Sequence, residues 1–290
     1  MREGDTSPVL SVEDQRRLAV LIDADNAQPS VIEALLAEVA KFGVAGVKRI
    51  YGDWTSTKHS QWKLCLLEHS IAPVQQFAYT SGKNATDSAL IIDAMDLLYS
   101  KHLDGFCLVS SDSDFTRLAQ RLREAGMVVY GFGEKKTPKP FVVACDKFIY
   151  TEVLRKEASS VAASAAGANV LPTAGALPTV VPSGDGGSAS PPAMPPRVPT
   201  PMESPVGLIM QAIEQGADES GWAFLGAVGN YLTKIQPDFD PRLFGCRKLS
   251  DLIRKYPDAF ETSERGSSGS ASKVLYARIL GNKTSVKTVG

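Results

Sequence analysis

Leu18-Ala-Val-Leu-Ile-Asp-Ala-Asp-Asn26 holds five apolar residues in a row, followed at once by two acids and an amide. A run this short, stopped by charge, reads as a central strand buried on both faces, as a parallel sheet requires. The pattern recurs at Val47-Lys-Arg-Ile-Tyr51, at Ala72 to Tyr79, at Gly105-Phe-Cys-Leu-Val-Ser110 and at Met127-Val-Val-Tyr-Gly131, with Lys147-Phe-Ile-Tyr150 as a sixth candidate. Helical stripes fall between them. Pro29 to Phe42 aligns Val31, Ile32, Leu35, Leu36 and Val39, with Pro29 suited to the first turn and Gly43 to the stop. Gln61 to His69, Asp87 to Ser100 and Phe115 to Ala125 supply three more. Alternating strands and helices predict an α/β fold, a doubly wound parallel sheet with right-handed crossovers.

In such sheets ligands bind beyond the carboxyl ends of the strands, where strand order reverses. The first strand runs into Asp23, Asp25 and Asn26, and the fourth into Ser111, Asp112 and Asp114. The third is followed by a polar loop holding Lys83, which ends at Asp87 on the next helix. Leu90, Ile91 and Ala94 share a helix face with Asp87, so Asp87 tops the buried stripe, whereas Asp93 and Asp96 fall off it and are expected in solvent. Each acid alone has an ordinary explanation, a cap or a charge favoured by a helix dipole. Together they repel unless a cation compensates. Hard oxygen ligands suit Mg²⁺ or Mn²⁺, which can clamp a phosphodiester oxygen and lower the pKa of bound water. Asn26 and Ser111 are placed to hydrogen-bond phosphate or water, and Lys83 to meet a phosphate as a point charge.

Around this core the composition is that of a soluble globular protein, 43% hydrophobic with net charge −1. No bulk basic field advertises nucleic acid, so local patches or a metal must supply the attraction. Arg121, Arg123, Lys135, Lys136 and Lys139 either line such a path or are solvated. Four cysteines without a C-x-x-C pair argue against zinc and for reduced, buried thiols. A polar N-terminal tail over 1–17, with no apolar run long enough for a bilayer, predicts a cytoplasmic protein without membrane association. From 158 to 202 the chain turns to Ala, Gly, Ser and Pro, a flexible linker. It divides a domain over 18–157 from a second over 203–280, and the tail over 281–290 is expected to be disordered.

The stretches Leu21-Ile-Asp-Ala-Asp-Asn26, Lys83 to Asp93 and Leu108-Val-Ser-Ser-Asp-Ser-Asp-Phe115 together resemble the NYN family, a branch of the PIN-like metal-dependent nucleases. The resemblance implies an α/β/α sandwich and a Mg²⁺- or Mn²⁺-dependent ribonuclease. It places the family's acids on Asp23, Asp87, Asp112 and Asp114, with Asn26 beside the first. The segment from Gly221-Trp-Ala-Phe-Leu225 through Phe244 to Ile253, with Tyr256, Phe260 and Val274-Leu-Tyr276, is similar to LOTUS (OST-HTH) modules. These are small winged helix-turn-helix domains, which implies RNA binding or docking of a protein partner. Ser263 to Ser272 is expected at the tip of the wing. Arg247, Lys248, Arg254 and Lys255 form a basic cluster that is either an RNA contact or a solvated helix face. The leading reading is a nuclease whose tethered module captures RNA, tethering raising the effective concentration at the cleft; a homodimer is left open. An RNA-binding adaptor with the same acids is the alternative. Phosphatase chemistry of the haloacid-dehalogenase kind comes last, because Ala27 stands where that pattern wants Thr or Val.

Overall fold

The computed structural model describes residues 16–55, 57–77, 85–155, 204–265 and 274–280. Six strands form one parallel sheet: β1 (Arg17–Asp23), β2 (Val44–Gly52), β3 (Ala72–Gln75), β4 (Gly105–Val109), β5 (Val128–Gly133) and β6 (Lys147–Tyr150). Their order is β3-β2-β1-β4-β5-β6, so the direction of winding reverses between β1 and β4. Arg17, assigned above to the N-terminal tail, is already the first residue of β1.

The alternation of β1 splits the core in two. Ala19 and Leu21 pack under α3 (Ala85–Tyr99), α4 (Thr116–Glu124) and α5 (Lys139–Ala144), through Leu90, Ala94, Leu118, Leu122, Phe141 and Val142. Leu18, Val20 and Ile22 pack under α1 (Ile32–Val39) and α2 (Trp62–Glu68), through Ile32, Leu35, Val39 and Trp62. The result is the expected α/β/α sandwich. Pro29 opens a 3-10 turn ahead of α1. Helix α5 was not foreseen, since its single turn and a half around Pro140 carries no helical period. Cys107 and Cys145 are buried thiols, while Cys65 is only partly covered. No helix among the described residues is long and apolar enough to cross a membrane.

A second unit contains α6 (Val206–Gly216), β7 (Ala223–Phe224), α7 (Leu225–Ile235), α8 (Leu249–Arg254), β8 (Phe260–Arg265) and β9 (Val274–Ile279). Its antiparallel sheet, in the order β7-β9-β8, closes on Ile209, Ile213, Val228, Leu232, Leu252 and Ile253. This is a winged helical arrangement. The wing strand runs further than its sequence suggests: Ser263 to Arg265, expected at the tip, lie in β8 and pair with β9 from Tyr276 to Val274. Polar residues on the outer side of a two-sided strand hide its signal. The remainder of the expected tip, the linker and the C-terminal tail lie outside the described residues.

The two units touch. The edge strand β6 gives its Phe148 N–H to the Pro237 carbonyl (2.9 Å). Asp238 accepts from the Tyr150 hydroxyl (2.8 Å) and pairs with Lys139 (3.2 Å). Arg242 reaches Glu38 on α1 with two N–H bonds (2.9 and 3.0 Å) while also holding Asp240. Glu38, Asp238 and Asp240 are all buried.

Candidate active site

Asp23 ends β1 beside the switch point, fully buried. Its Oδ2 accepts from the Asn26 amide and the Ser110 hydroxyl, both at 2.8 Å, and its Oδ1 accepts from the Asp25 N–H at 3.0 Å. Burial pushes the Asp23 carboxyl up, against the pull of these three donors. Ser110 follows β4, and its Oγ in turn accepts from the Asp112 N–H (3.1 Å). The Asp112 side chain caps the next turn by accepting from the Asp114 N–H (2.9 Å). Hydrogen bonds therefore tie the two strand ends together across the reversal in strand order.

Asp87, on the first turn of α3, completes the crevice. One carboxylate oxygen each from Asp87, Asp112 and Asp114 lies within 4.8 Å of the others. Burial and then the negative charges of Asp23, Asp112, Asp114 and Asp25 push Asp87 up to about 6. Three hard oxygen donors in mutual reach, one of them with its pKa raised by burial and its neighbours' charge, are a donor set that a divalent cation fits.

The other expected residues divide. Asn26 supports Asp23, as above. Ser111 turns away and accepts from the Glu134 N–H (2.8 Å), so its hydroxyl braces the loop after β5. Lys83 lies outside the described residues. Asp93 lies only partly in solvent: it accepts from the Arg49 guanidinium and the Tyr51 hydroxyl, because β2 passes beneath that side of α3. Burial and the adjoining Asp93 raise the Tyr51 hydroxyl well above the ordinary tyrosine range. Lys136 pairs with Glu134, Lys139 with Asp238 and Arg123 with Asp146. In the basic cluster, Arg254 lies 3.5 Å from Glu264 and Lys255 donates to the Phe244 carbonyl (3.2 Å).

Two neighbours of the crevice escaped the sequence reading. Lys58 pairs with Asp25 at 2.5 Å, and the buried His59 brings Nε2 to 3.5 Å from the same carboxylate. Both follow β2, whose carboxyl end adjoins that of β1. That adjacency was the available signal.

Comparison with known proteins identifies two domains. A model of the NYN domain matches residues 17–154 and a model of the OST-HTH/LOTUS domain matches residues 200–270. A search of curated proteins gave no match. Among solved structures, an uncharacterized protein from Nitrosomonas europaea is 46% identical, over 33% of this chain and 91% of that one, with a TM-score of 0.26. A protein from Chromobacterium violaceum is 33% identical, over 33% of this chain and 97% of that one, with a TM-score of 0.23. A protein of unknown function from Vibrio parahaemolyticus is 18% identical, over 46% of this chain and 91% of that one, with a TM-score of 0.39. The chain carries an NYN domain followed by an OST-HTH/LOTUS domain.

Proposed function

We propose that the chain is a divalent-metal-dependent ribonuclease, cutting within RNA strands at the acidic crevice, with residues 18–157 as the nuclease and 203–280 as the module that captures RNA. The observation that carries this is the convergence of Asp87, Asp112 and Asp114 within 4.8 Å, at the one place where a doubly wound sheet exposes strand ends to a ligand. These three would hold Mg²⁺ or Mn²⁺, with Asp23 behind them. Such an ion supplies positive charge that draws electron density from a phosphodiester oxygen and acidifies water.

The chain's own groups do the rest. Asn26 and Ser110 fix the Asp23 carboxylate by hydrogen bonds. Asp112 keeps the turn before α4 closed, which holds Asp114 at the rim. Lys58, paired with Asp25, places a cation at the edge where an RNA phosphate would approach.

The test is cleavage of end-labelled, partly structured single-stranded RNA by wild type and by an Asp112→Asn, Asp114→Asn double variant, with Mn²⁺ and with chelator. Cutting should require metal and fall by roughly 10²-fold or more in the variant, since the metal's charge supplies several kcal/mol. RNA affinity should stay nearly unchanged. Full activity in the variant defeats the site assignment. Binding without cleavage in wild type makes the chain an RNA-binding adaptor.

A further inference from the structure

A small antiparallel sheet packed on one side ordinarily turns polar side chains to water on the other. The sheet of the C-terminal unit does so along β8, with Glu261, Ser263 and Arg265, but sets aromatic rings beside them. Ala277 and Ile279 of β9 join the core, so Val274, Tyr276 and Arg278 alternate to the outer face. Across the ladder Phe224 pairs with Tyr276, their rings 6.0 Å apart and tilted. Phe224 is 46% exposed. The Arg265 guanidinium lies 4.9 Å from the Trp222 ring centre and 4.7 Å from that of Tyr276. Arg278 stacks on Trp222 at 4.8 Å. Three aromatic rings and two planar cations thus share one face, with Phe224 exposed and Trp222 and Tyr276 half-buried.

The charge on this face is balanced. Arg278 pairs with Glu261 at 2.5 Å and Arg265 with Asp218 at 3.8 Å. A phosphate-tracking groove would leave its cations unneutralised. What the face offers is π surface, to which any unstacked base presents a matching one. An RNA duplex hides its base faces, so the complementary ligand is single-stranded.

We propose that this outer face, with Phe224, Tyr276 and Trp222 as rings and Arg265 and Arg278 as stacked cations, is a platform for unpaired bases of single-stranded RNA. It shares no residue with the acidic crevice or with the Arg247, Lys248, Arg254 and Lys255 cluster. The assignment rests on the reading of the C-terminal module as the RNA-capturing part of the chain. The platform holds bases, while phosphate contacts elsewhere carry the salt-dependent share of affinity.

The experiment is anisotropy of a short labelled oligoribonucleotide with the full chain in chelator, which prevents cutting. The same backbone with abasic riboses is run alongside, over a series of salt concentrations. A Phe224→Ala, Tyr276→Ala variant should bind the oligoribonucleotide about tenfold or more weakly, as expected when base stacking is removed. Its salt slope should match wild type, and the abasic strand should bind both proteins alike. If the double variant fails to fold, Phe224→Leu, which keeps apolar area at an exposed position but removes the ring, is read for the same base-dependent loss. Unchanged affinity, an equal loss for the abasic strand, or no RNA binding by wild type overturns the platform. So does a variant that merely dissociates a dimer of the chain with RNA affinity intact. Cleavage in Mn²⁺ is scored separately. A wild type that does not cut but binds bases through Phe224 supports the platform and removes the nuclease reading. An active enzyme whose platform variants bind normally does the reverse.

Discussion

At Asp87, burial and four neighbouring carboxylates act in the same direction, raising the pKa to about 6. The unfolded chain holds this group near the ordinary 3.8. A raised folded value means that metal-free stability declines as pH climbs from the unfolded toward the folded pKa, and the penalty is complete above it. A bound cation removes that penalty and competes with the proton. Mn²⁺ should therefore raise the melting temperature more at pH 7 than at pH 5, and Asp87→Asn should flatten that difference. Calorimetric scans across this range check both; a metal shift independent of pH counts against Asp87 as a ligand. Asp23 differs in kind. It is buried and satisfied by Asn26, Ser110 and the Asp25 N–H. Ser110→Ala leaves one carboxylate oxygen short of a donor, at a cost of about 1–3 kcal/mol. Denaturant melts should show it, together with reduced cleavage.

At the scale of elements, the crevice depends on how closely β4 and β5 approach. A Cβ at Gly133 would lie 2.5 Å from the Ser110 carbonyl oxygen and 2.7 Å from the Thr137 hydroxyl. Ser110 is the residue that bridges Asp23 and Asp112. Gly133→Ala should therefore push the end of β4 aside, costing about 1–3 kcal/mol of overpacking. Cleavage should fall although no carboxylate has changed, and normal activity in that variant would show that the loop tolerates displacement. The acids themselves were legible because Asp23 ends β1, Asp112 and Asp114 follow β4, and Asp87 opens the helix after β3. Asp93 was misread because its partners Arg49 and Tyr51 come from β2, which a helical stripe cannot reveal.

In the whole molecule, the contact between the two units stands out by its buried charge. Burial alone would raise the Glu38 carboxyl, but hydrogen bonds from Arg242 and Lys41 outweigh it and hold it below its usual 4.5. A lowered folded value stabilises above the unfolded pKa and is lost as pH falls through the folded one. The contribution of Glu38 should accordingly be lost only in acid, as pH falls below the usual 4.5. Arg242→Ala takes the guanidinium from Asp240 and leaves Glu38 to Lys41 alone, and should cost about 3–5 kcal/mol. The Phe148 amide, bonded to the Pro237 carbonyl, reports on it: hydrogen exchange there should accelerate in Arg242→Ala. Unchanged protection would mean that the contact does not depend on Arg242.

The sequence by itself determined the alternation of strands and helices, the strand ends at which Asp23, Asp112 and Asp114 fall, and the switch of composition at 158–202. These are local signals: a period of 2 or 3.6, a stop of charge, a loss of apolar residues. Tertiary structure alone decided how closely Asp87 approaches Asp112 and Asp114, that Lys58 and His59 reach Asp25, and that Ser111 faces Glu134 instead of the crevice. It also decided that Arg242 crosses to Glu38, 204 residues away. The physical reason is the same throughout. Periodicity fixes which face of an element is buried, but side-chain direction at the end of a strand depends on partners that the chain brings from elsewhere.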